Sequence, residues 1–196
     1  MKTATHHSPA ICYGEVLWDV LPDGPQPGGA PLNVAYHLNK MGLSTSIISK
    51  IGNDSNGERL VGLMNTWGID LQFLQVDSVY PTSEVLAKMN GNEVSYEIVF
   101  PVAWDFITKN SKIQLAINPS TYFVYGSLAS RNETSRHTLL KLLETEAIKV
   151  FDINLRPPFM ERDLLKLLLE KADIVKLNQA ELELVQIIFN GPLSAE

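Results

Sequence analysis

The chain has 196 residues and a hydrophobic fraction of 45%, which is typical of one folded α/β domain and excludes a disordered chain. Its 16 Lys and Arg residues against 22 Asp and Glu residues give a net charge of −6, and without a basic run the chain is a poor candidate for binding nucleic acid or a membrane. A lone cysteine, Cys12, cannot form an internal disulfide, and no Cys/His cluster has zinc-site spacing. With neither a signal core nor a membrane-length apolar run, we expect a cytoplasmic protein.

Short apolar runs alternate with helical patterns along the chain, which favours an α/β fold with a mostly parallel sheet. The predicted strands are residues 11–17, 45–51, 71–76, 122–126, 149–153 and 174–177. The predicted helices are residues 31–41, 55–66, 133–145 and 162–171, and a last helix that begins at 178 and ends at 190–192. Pro31 in a first turn and glycines just past two helix ends mark the boundaries.

One segment, residues 83–100, breaks this rhythm. Apolar residues alternate on both sides of Asn90-Gly91, a dipeptide that strongly favours a two-residue hairpin turn. A hairpin inserted into a parallel α/β chain predicts a small flap outside the main sheet. The alternative is an edge hairpin of the same sheet.

The stretch at residues 28–35 is the first candidate for ligand binding. Gly28 and Gly29 allow the backbone to approach a ligand closely, and the helix that follows directs free N–H groups toward it. Asn33, on the first helical turn, both donates and accepts hydrogen bonds, which suits a hydroxyl-rich partner. The spacing is neither a dinucleotide fingerprint nor a Walker loop, and an ordinary loop into a helix stays open as an alternative.

Asp19 follows the first predicted strand. A carboxylate beyond the carboxyl end of a parallel strand lies where open α/β sheets bind ligands, and it could accept two hydroxyl hydrogen bonds from a sugar. A solvated loop acid is the alternative.

The stretch at residues 28–35 is followed by two glycines at a characteristic spacing. Six residues separate Ala35 from Gly42, and nine separate Gly42 from Gly52. The pattern resembles the first signature of the ribokinase/fructokinase family of sugar kinases, the phosphofructokinase-B type. The resemblance continues in expected order through residues 52–57, 126–129, 152–157 and 176–181. Residues 152–158 and Trp104-Asp105 look most like fructokinases.

The resemblance implies an ATP-dependent kinase that phosphorylates a sugar hydroxyl, with a ribokinase-like open sheet flanked by helices and a small β lid. The lid corresponds to the hairpin at residues 83–100, which in some members also forms a dimer clasp, so a homodimer through the lid is possible. The sugar is then expected to be held by Asp19, Gly28, Gly29, Asn33 and Tyr96.

The resemblance also implies a nucleotide side, with ATP and Mg²⁺ as cofactors. Asn154 and Arg156 match positions near the nucleotide phosphates, where a guanidinium would stabilise charge on the moving phosphoryl group. Asn178 and Glu181 match an Asn-x-x-Glu motif, in which the Asn lies on the nucleotide side and the Glu orders Mg²⁺ and its waters. The same spacing is a helix capping box, and both roles are compatible.

The chain departs from the family in one respect. The Gly-Ala-Gly-Asp loop that should supply the general base does not occur, and neither do the adenine-binding segments. We therefore expect residues 1–196 to form an incomplete domain, without its catalytic base and with doubtful activity alone. Two functions stay open: a sugar kinase whose C-terminal part lies outside this chain, or a non-catalytic module that binds a sugar or a partner. Within the kinases, 2-keto-3-deoxygluconate kinase and ribokinase are the alternatives to fructokinase.

Overall fold

The computed structural model describes residues 9–90, 93–117, 122–159 and 161–189, and for residues 87–90 and 93–96 it describes the backbone alone. Ten strands occur in these ranges: β1 (Ala10–Tyr13), β2 (Leu17–Leu21), β3 (Gly24–Gly28), β4 (Thr45–Gly52), β5 (Leu74–Asp77), β6 (Ser83–Asn90), β7 (Glu93–Ile98), β8 (Tyr122–Gly126), β9 (Ile148–Asp152) and β10 (Ile174–Lys176). Six α-helices accompany them: α1 (Ala30–Lys40), α2 (Ser55–Trp67), α3 (Ser111–Ile117), α4 (Glu133–Leu142), α5 (Arg162–Glu170) and α6 (Gln179–Phe189).

Six strands form the main sheet in the order β10-β9-β8-β1-β4-β5, and every neighbouring pair is parallel. The predicted parallel α/β fold is therefore confirmed. The chain builds outward from β1 through β4 and β5, and then from the other side of β1 through β8, β9 and β10. This reversal creates a topological switch point between β1 and β8, outside whose carboxyl ends open sheets bind ligands.

The remaining four strands form a second sheet in the order β3-β2-β6-β7, which we call the lid. The predicted hairpin is confirmed as β6 and β7, and it lies outside the main sheet. Val85 lies opposite Ile98, as the alternating pattern requires. The Gly91 position of the turn lies outside the described residues. The lid is larger than the hairpin, because β2 pairs with β6 and β3 pairs with β2.

The predicted first strand, residues 11–17, was wrong in extent. The chain leaves the main sheet after Tyr13, turns at Gly14 with a φ of 140°, and re-enters extended structure in the lid at Leu17. Residues on both sides of the turn are buried, so apolar periodicity cannot separate the two strands.

Strand β3 was not predicted, because its two prolines, Pro25 and Pro27, are unfavourable in a strand and are accommodated here on the outer edge of the lid.

The helices cover the main sheet in two layers. Helices α1 and α2 pack on the face that carries Cys12, whereas α3, α4, α5 and α6 contribute to the core on the face that carries Tyr13. The helix at residues 111–117 was not predicted, and most other predicted bounds hold to within three residues. The predicted strand at residues 71–76 begins only at Leu74, because a turn closed by the Leu74 N–H and the Leu71 carbonyl precedes it.

One part of the main sheet stays open. On the face that carries Cys12, helix α1 reaches β8 but no helix in the described ranges covers β9 and β10, and every residue of β10 is exposed. Tyr122, Ile148 and Ile174 on this face are 37%, 39% and 48% exposed. The structured part of the chain holds no helix long and apolar enough to cross a membrane.

Candidate active site

A cleft of about 1160 Å³ opens at the switch point, between the lid and the carboxyl ends of the main-sheet strands. Its polar end is lined by residues from the lid, from the start of α1 and from the loop after β9. Its other end continues as an apolar groove along the open face, past Leu43, Tyr122 and Val150. The polar end has the donors and acceptors that a sugar needs, and the groove adds volume beyond it.

Asp19 reaches the cleft from the lid. The expectation that it follows a main-sheet strand is wrong, because it lies within β2, opposite Gln26 on β3 and Val85 on β6. Its carboxylate lies against Gly28, where any side chain would collide with it. Burial raises the pKa of this half-buried carboxyl, and the charge of Arg156 across the cleft acts in the opposite direction.

The start of α1 forms the second wall. Gly29 caps the helix with a φ of 110°, and a Cβ at this position would collide with the Glu15 carbonyl oxygen, so the turn requires glycine. The Asn33 N–H donates to the Gly29 carbonyl at 2.9 Å, and the exposed Asn33 side chain lines the cleft. Gly29 and Asn33 thus meet Asp19 at one cleft, as expected.

Glu15 is a cleft residue that sequence reasoning missed. It directly follows the Gly14 turn, is 1% exposed, and its Oε1 accepts a hydrogen bond from the Ala30 N–H at 3.1 Å. Its Oε2 is buried without a hydrogen-bond partner. Burial raises the pKa of this carboxyl to about 7, and the hydrogen bond from Ala30 and the charge of Arg156 only partly oppose the shift. The sequence feature that could have identified Glu15 is its position, between a buried strand and the predicted ligand residue Asp19.

The loop after β9 forms the wall opposite the lid. Asn154 has a φ of 40°, a left-handed conformation that asparagine tolerates better than most residues and that often marks functional sites. Arg156 is exposed and lines the cleft, and its Nη1 donates to the Leu155 carbonyl at 2.9 Å. An amide and a guanidinium therefore line the same cleft as Asp19, as the resemblance implies for a phosphate side.

Asp152 and Lys176 add an ion pair at the same edge of the sheet. Lys176 Nζ lies 3.0 Å from Asp152 Oδ1, and both residues line the cleft. Neither was singled out in the sequence, because each lies within a strand pattern and only the parallel pairing of β9 with β10 brings them together.

Asn178 and Glu181 form the predicted capping box at the start of α6. The Glu181 N–H donates to Asn178 Oδ1 at 2.9 Å, and the Asn178 N–H donates to Glu181 Oε2 at 2.9 Å. Glu181 Oε1 accepts from the Leu155 N–H at 3.0 Å, so both carboxylate oxygens are engaged by backbone. Glu181 is 7% exposed, and neither residue lines the cleft. The motif therefore braces the loop that carries Arg156.

The expected role of Glu181 in ordering Mg²⁺ and its waters stays a prediction. Each Glu181 oxygen accepts one backbone hydrogen bond, and the Asp152 carboxylate is paired with Lys176. Within the described ranges no group of three His, Cys, Asp or Glu side chains is placed to hold a metal ion. The remaining predicted residue, Tyr96, lies on β7 of the lid, and its side chain is outside what the structure describes.

Comparison with known proteins gives a consistent result. The model of the pfkB family of carbohydrate kinases matches residues 13–187. The uncharacterized sugar kinase PH1459 of Pyrococcus horikoshii is 30% identical over 164 residues, which cover 79% of this chain and 53% of that protein. The fructokinase of Escherichia coli is 27% identical over 187 residues, covering 88% of this chain and 61% of that protein. The chain thus spans little more than half the length of these curated relatives.

Solved structures agree in fold. The crystal structure of PH1459 superposes with a TM-score of 0.83 at 26% identity, covering 93% of this chain and 69% of that one. The fructokinase of Xylella fastidiosa with bound ATP superposes with a TM-score of 0.81 at 22% identity, covering 94% and 62% of the two chains. These superpositions confirm the ribokinase-like open sheet flanked by helices that the resemblance implied. The chain belongs to the pfkB family of carbohydrate kinases.

Proposed function

We propose that this chain is the sugar-binding part of an ATP-dependent sugar kinase of the fructokinase type. One observation carries the proposal: side chains suited to bind hydroxyls and side chains suited to bind phosphates line a single cleft. Asp19 and Asn33 line the first side, and Asn154 and Arg156 line the second. A transferable phosphoryl group between these two sides would lie next to a bound sugar.

On the sugar side, each residue has a distinct task. The Asp19 carboxylate accepts hydrogen bonds from two neighbouring hydroxyls, and the Asn33 amide supplies both a donor and an acceptor. Gly29 has no side chain, so the sugar can approach the backbone at the start of the helix. Gly28 serves indirectly, because it leaves room for the Asp19 carboxylate.

On the phosphate side, Arg156 stabilises negative charge on the phosphoryl group during transfer. Asn154 orients the phosphates by hydrogen bonding, while Asn178 and Glu181 act on this loop through its backbone. PH1459, to which this chain is similar, has been solved in complex with ATP, and the fructokinase of Vibrio cholerae has been solved with fructose, ADP and calcium ion. Mg²⁺ would accompany the nucleotide phosphates with its waters.

No residue of this chain is assigned as the general base, since the sequence has no Gly-Ala-Gly-Asp stretch. The proposal also includes a cytoplasmic location and a homodimer that pairs two lids. The dimer is supported by β7, which is the outer strand of the lid sheet and so offers an edge for a second copy.

Asp19→Ala tests the sugar side. Loss of a charged acceptor should weaken fructose binding about 10- to 100-fold, measured by isothermal titration calorimetry. Asp23→Ala is the matched control, because Asp23 lies in the exposed turn after the same strand and should leave affinity unchanged. Equal affinity of the Asp19 variant and the wild type would refute the sugar site.

The identity of the sugar is decided by a panel of fructose, 2-keto-3-deoxygluconate and ribose under the same conditions. Tightest binding of fructose is expected. Tightest binding of another member would reassign the substrate and keep the site. A full-length product that binds sugar but transfers no phosphate from ATP would establish the non-catalytic alternative.

A further inference from the structure

Arg131 is a buried charged residue that the proposed reaction does not use. It directly follows the 3-10 turn at Leu128–Ser130, which leads away from the carboxyl end of β8. Its side chain is 1% exposed, and that of its partner Asp105 is fully buried. Arg131 Nε lies 2.7 Å from Asp105 Oδ1 and Nη2 lies 2.8 Å from Oδ2, so the pair is bidentate.

The same guanidinium holds the strand by which the chain leaves the lid. Arg131 Nη2 also donates to the Val99 carbonyl at 2.8 Å, one residue after the end of β7. The Val99 N–H in turn donates to the Glu84 carbonyl on β6 at 3.3 Å. Asp105 completes the attachment, because its Oδ2 accepts from the Val102 N–H at 2.9 Å. Both strands of the hairpin are therefore tied to Arg131 at the base of the lid.

Three aromatic rings surround the guanidinium. Its Cζ lies 4.0 Å from the centroid of Trp104, 4.5 Å from that of Phe159 and 4.9 Å from that of Phe100. Trp104 and Phe100 belong to the segment that leaves the lid, whereas Phe159 belongs to the loop that carries Arg156. The Phe159 N–H donates to the Arg156 carbonyl at 3.0 Å. Arg131 thus joins the lid base to the phosphate-side loop, beside a direct contact between Phe100 and Phe159, whose ring centroids lie 6.0 Å apart.

This cluster is not arranged for stability alone. Arg131 Nη1 and Trp104 Nε1 are both buried without a hydrogen-bond partner, and each such group lowers stability. Well-packed apolar residues often replace a buried ion pair without loss of stability. The features that apolar residues could not reproduce are the simultaneous bonds to Asp105 and Val99 and the flat stacking face.

We propose that Arg131 is a positioning residue that fixes the lid face carrying Asp19 relative to the loop carrying Arg156. It touches neither ligand and acts through Val99 on the lid side and through Phe159 on the phosphate side. The inference rests on the proposed function, since these two walls are the sugar and phosphate sides of the cleft. Arg131 therefore sets the distance across which the reacting groups meet.

Arg131→Lys tests the proposal, because lysine keeps the charge beside Asp105 but loses the fork and the stacking face. Hydrogen exchange without any ligand should show the Val99 amide and the β6–β7 amides exchanging about 10-fold faster, with main-sheet amides unchanged. Fructose affinity, measured by calorimetry, should fall about 10-fold, because Asp19 no longer holds its place. A purely structural role would accelerate exchange throughout the molecule and leave the affinity of the folded fraction intact.

Two further variants keep the test decisive. Arg136→Lys is the matched control, because Arg136 bonds Ser130, Arg131 and Glu161 but not the lid, and it should change neither measurement. Phe159→Leu keeps an apolar side chain but removes the ring that stacks on Arg131 and contacts Phe100. The Phe159 amide should exchange faster, with amides outside this loop unchanged. This variant decides the case if Arg131→Lys does not fold. Unchanged lid exchange in Arg131→Lys, or unchanged loop exchange in Phe159→Leu, would overturn the proposal. If the wild type binds no fructose, the proposed function fails, while the exchange results still decide the role of Arg131.

Discussion

Glu15 lies where the chain passes from the main sheet to the lid, and its surroundings favour the neutral carboxyl. The side chain is buried, Oε1 accepts a hydrogen bond from the Ala30 N–H, and Oε2 has no hydrogen-bond partner. Few hydrogen bonds offset the cost of burying the ionised carboxylate. Glu15 therefore binds its proton more tightly in the folded chain than in the unfolded chain. The stability that this bound proton contributes is fully present below the ordinary pKa of 4.5. It is lost as the pH rises through the folded-state pKa of about 7.

Glu15→Gln should remove this pH dependence. Glutamine keeps the shape and the acceptor for the Ala30 N–H but cannot ionise. From pH 4.5 to pH 8 the free energy of unfolding of the wild type should fall, relative to the variant, by about 3 kcal/mol. Urea unfolding at both pH values measures the difference. Glu58→Gln, on an exposed site of α2, is the control that should track the wild type. A constant difference between Glu15→Gln and the wild type would contradict the prediction.

At the scale of elements, the lid is attached to the main domain at both ends of its hairpin. Arg131 holds the exit at Val99. The entry is held by Asp54, the N-cap of α2, whose Oδ1 accepts from the Gly57 N–H at 2.8 Å and whose Oδ2 accepts from the Thr82 N–H at 2.7 Å. One carboxylate therefore both starts a helix of the main domain and fixes the residue before β6.

Asp54→Ala should act on both elements. Loss of the cap should cost about 1 kcal/mol of unfolding free energy, and the Thr82 amide should exchange faster because its acceptor is gone. Asn132→Ala is the matched control, because Asn132 caps α4 through the Thr134 N–H and has no bond to the lid. The control should lose similar stability and keep the exchange of Thr82 unchanged. Equal exchange at Thr82 in both variants would show that Asp54 does not hold the lid.

At the scale of the whole molecule, the open face of the main sheet carries exposed apolar side chains. Ile148 and Ile174 lie on neighbouring strands of this face, and β10 presents an unpaired edge. Edge strands with exposed apolar side chains favour association between chains. The face also forms the apolar end of the cleft, so association there would involve the same groove.

We expect the 196-residue chain to self-associate through this face. Ile174→Lys should lower the sedimentation-average mass at a given concentration, because a charge on the edge strand opposes pairing. Ile187→Lys is the matched control, since Ile187 is 68% exposed on α6, away from the open face. A reduction by Ile187→Lys and none by Ile174→Lys would place the association elsewhere.

We also expect that this chain does not transfer phosphate from ATP to fructose at a useful rate. A positioned base contributes about 10²- to 10⁴-fold and an anion-hole donor about 10²- to 10³-fold, and neither group is assigned to these residues. An ATP-consumption assay with fructose and Mg²⁺ measures this, with the E. coli fructokinase as the active control. Robust turnover would show that the base lies within these residues.

Local patterns were sufficient for much of this molecule. Alternating apolar runs and helices determined the parallel sheet, the period-two pattern around Asn90-Gly91 determined the hairpin, and Gly28-Gly29 before a helix determined one wall of the cleft. These features depend on neighbouring residues, because strand alternation, turns and helix starts are set within a few positions of the chain. The sequence motifs, which occur in the order expected for sugar kinases, indicated the family.

The tertiary structure alone decided the rest. Asp19 lies within the lid because β2 pairs with β6, which follows far along the chain, and no local pattern encodes that pairing. In the sequence Glu15 is an acidic residue near a turn and Arg131 a basic residue in a loop. Only burial raises the pKa of Glu15, and only distant partners make Arg131 a link between lid and loop. Long-range pairing and burial are properties of the packed chain, so the residues that depend on them emerge only from the fold.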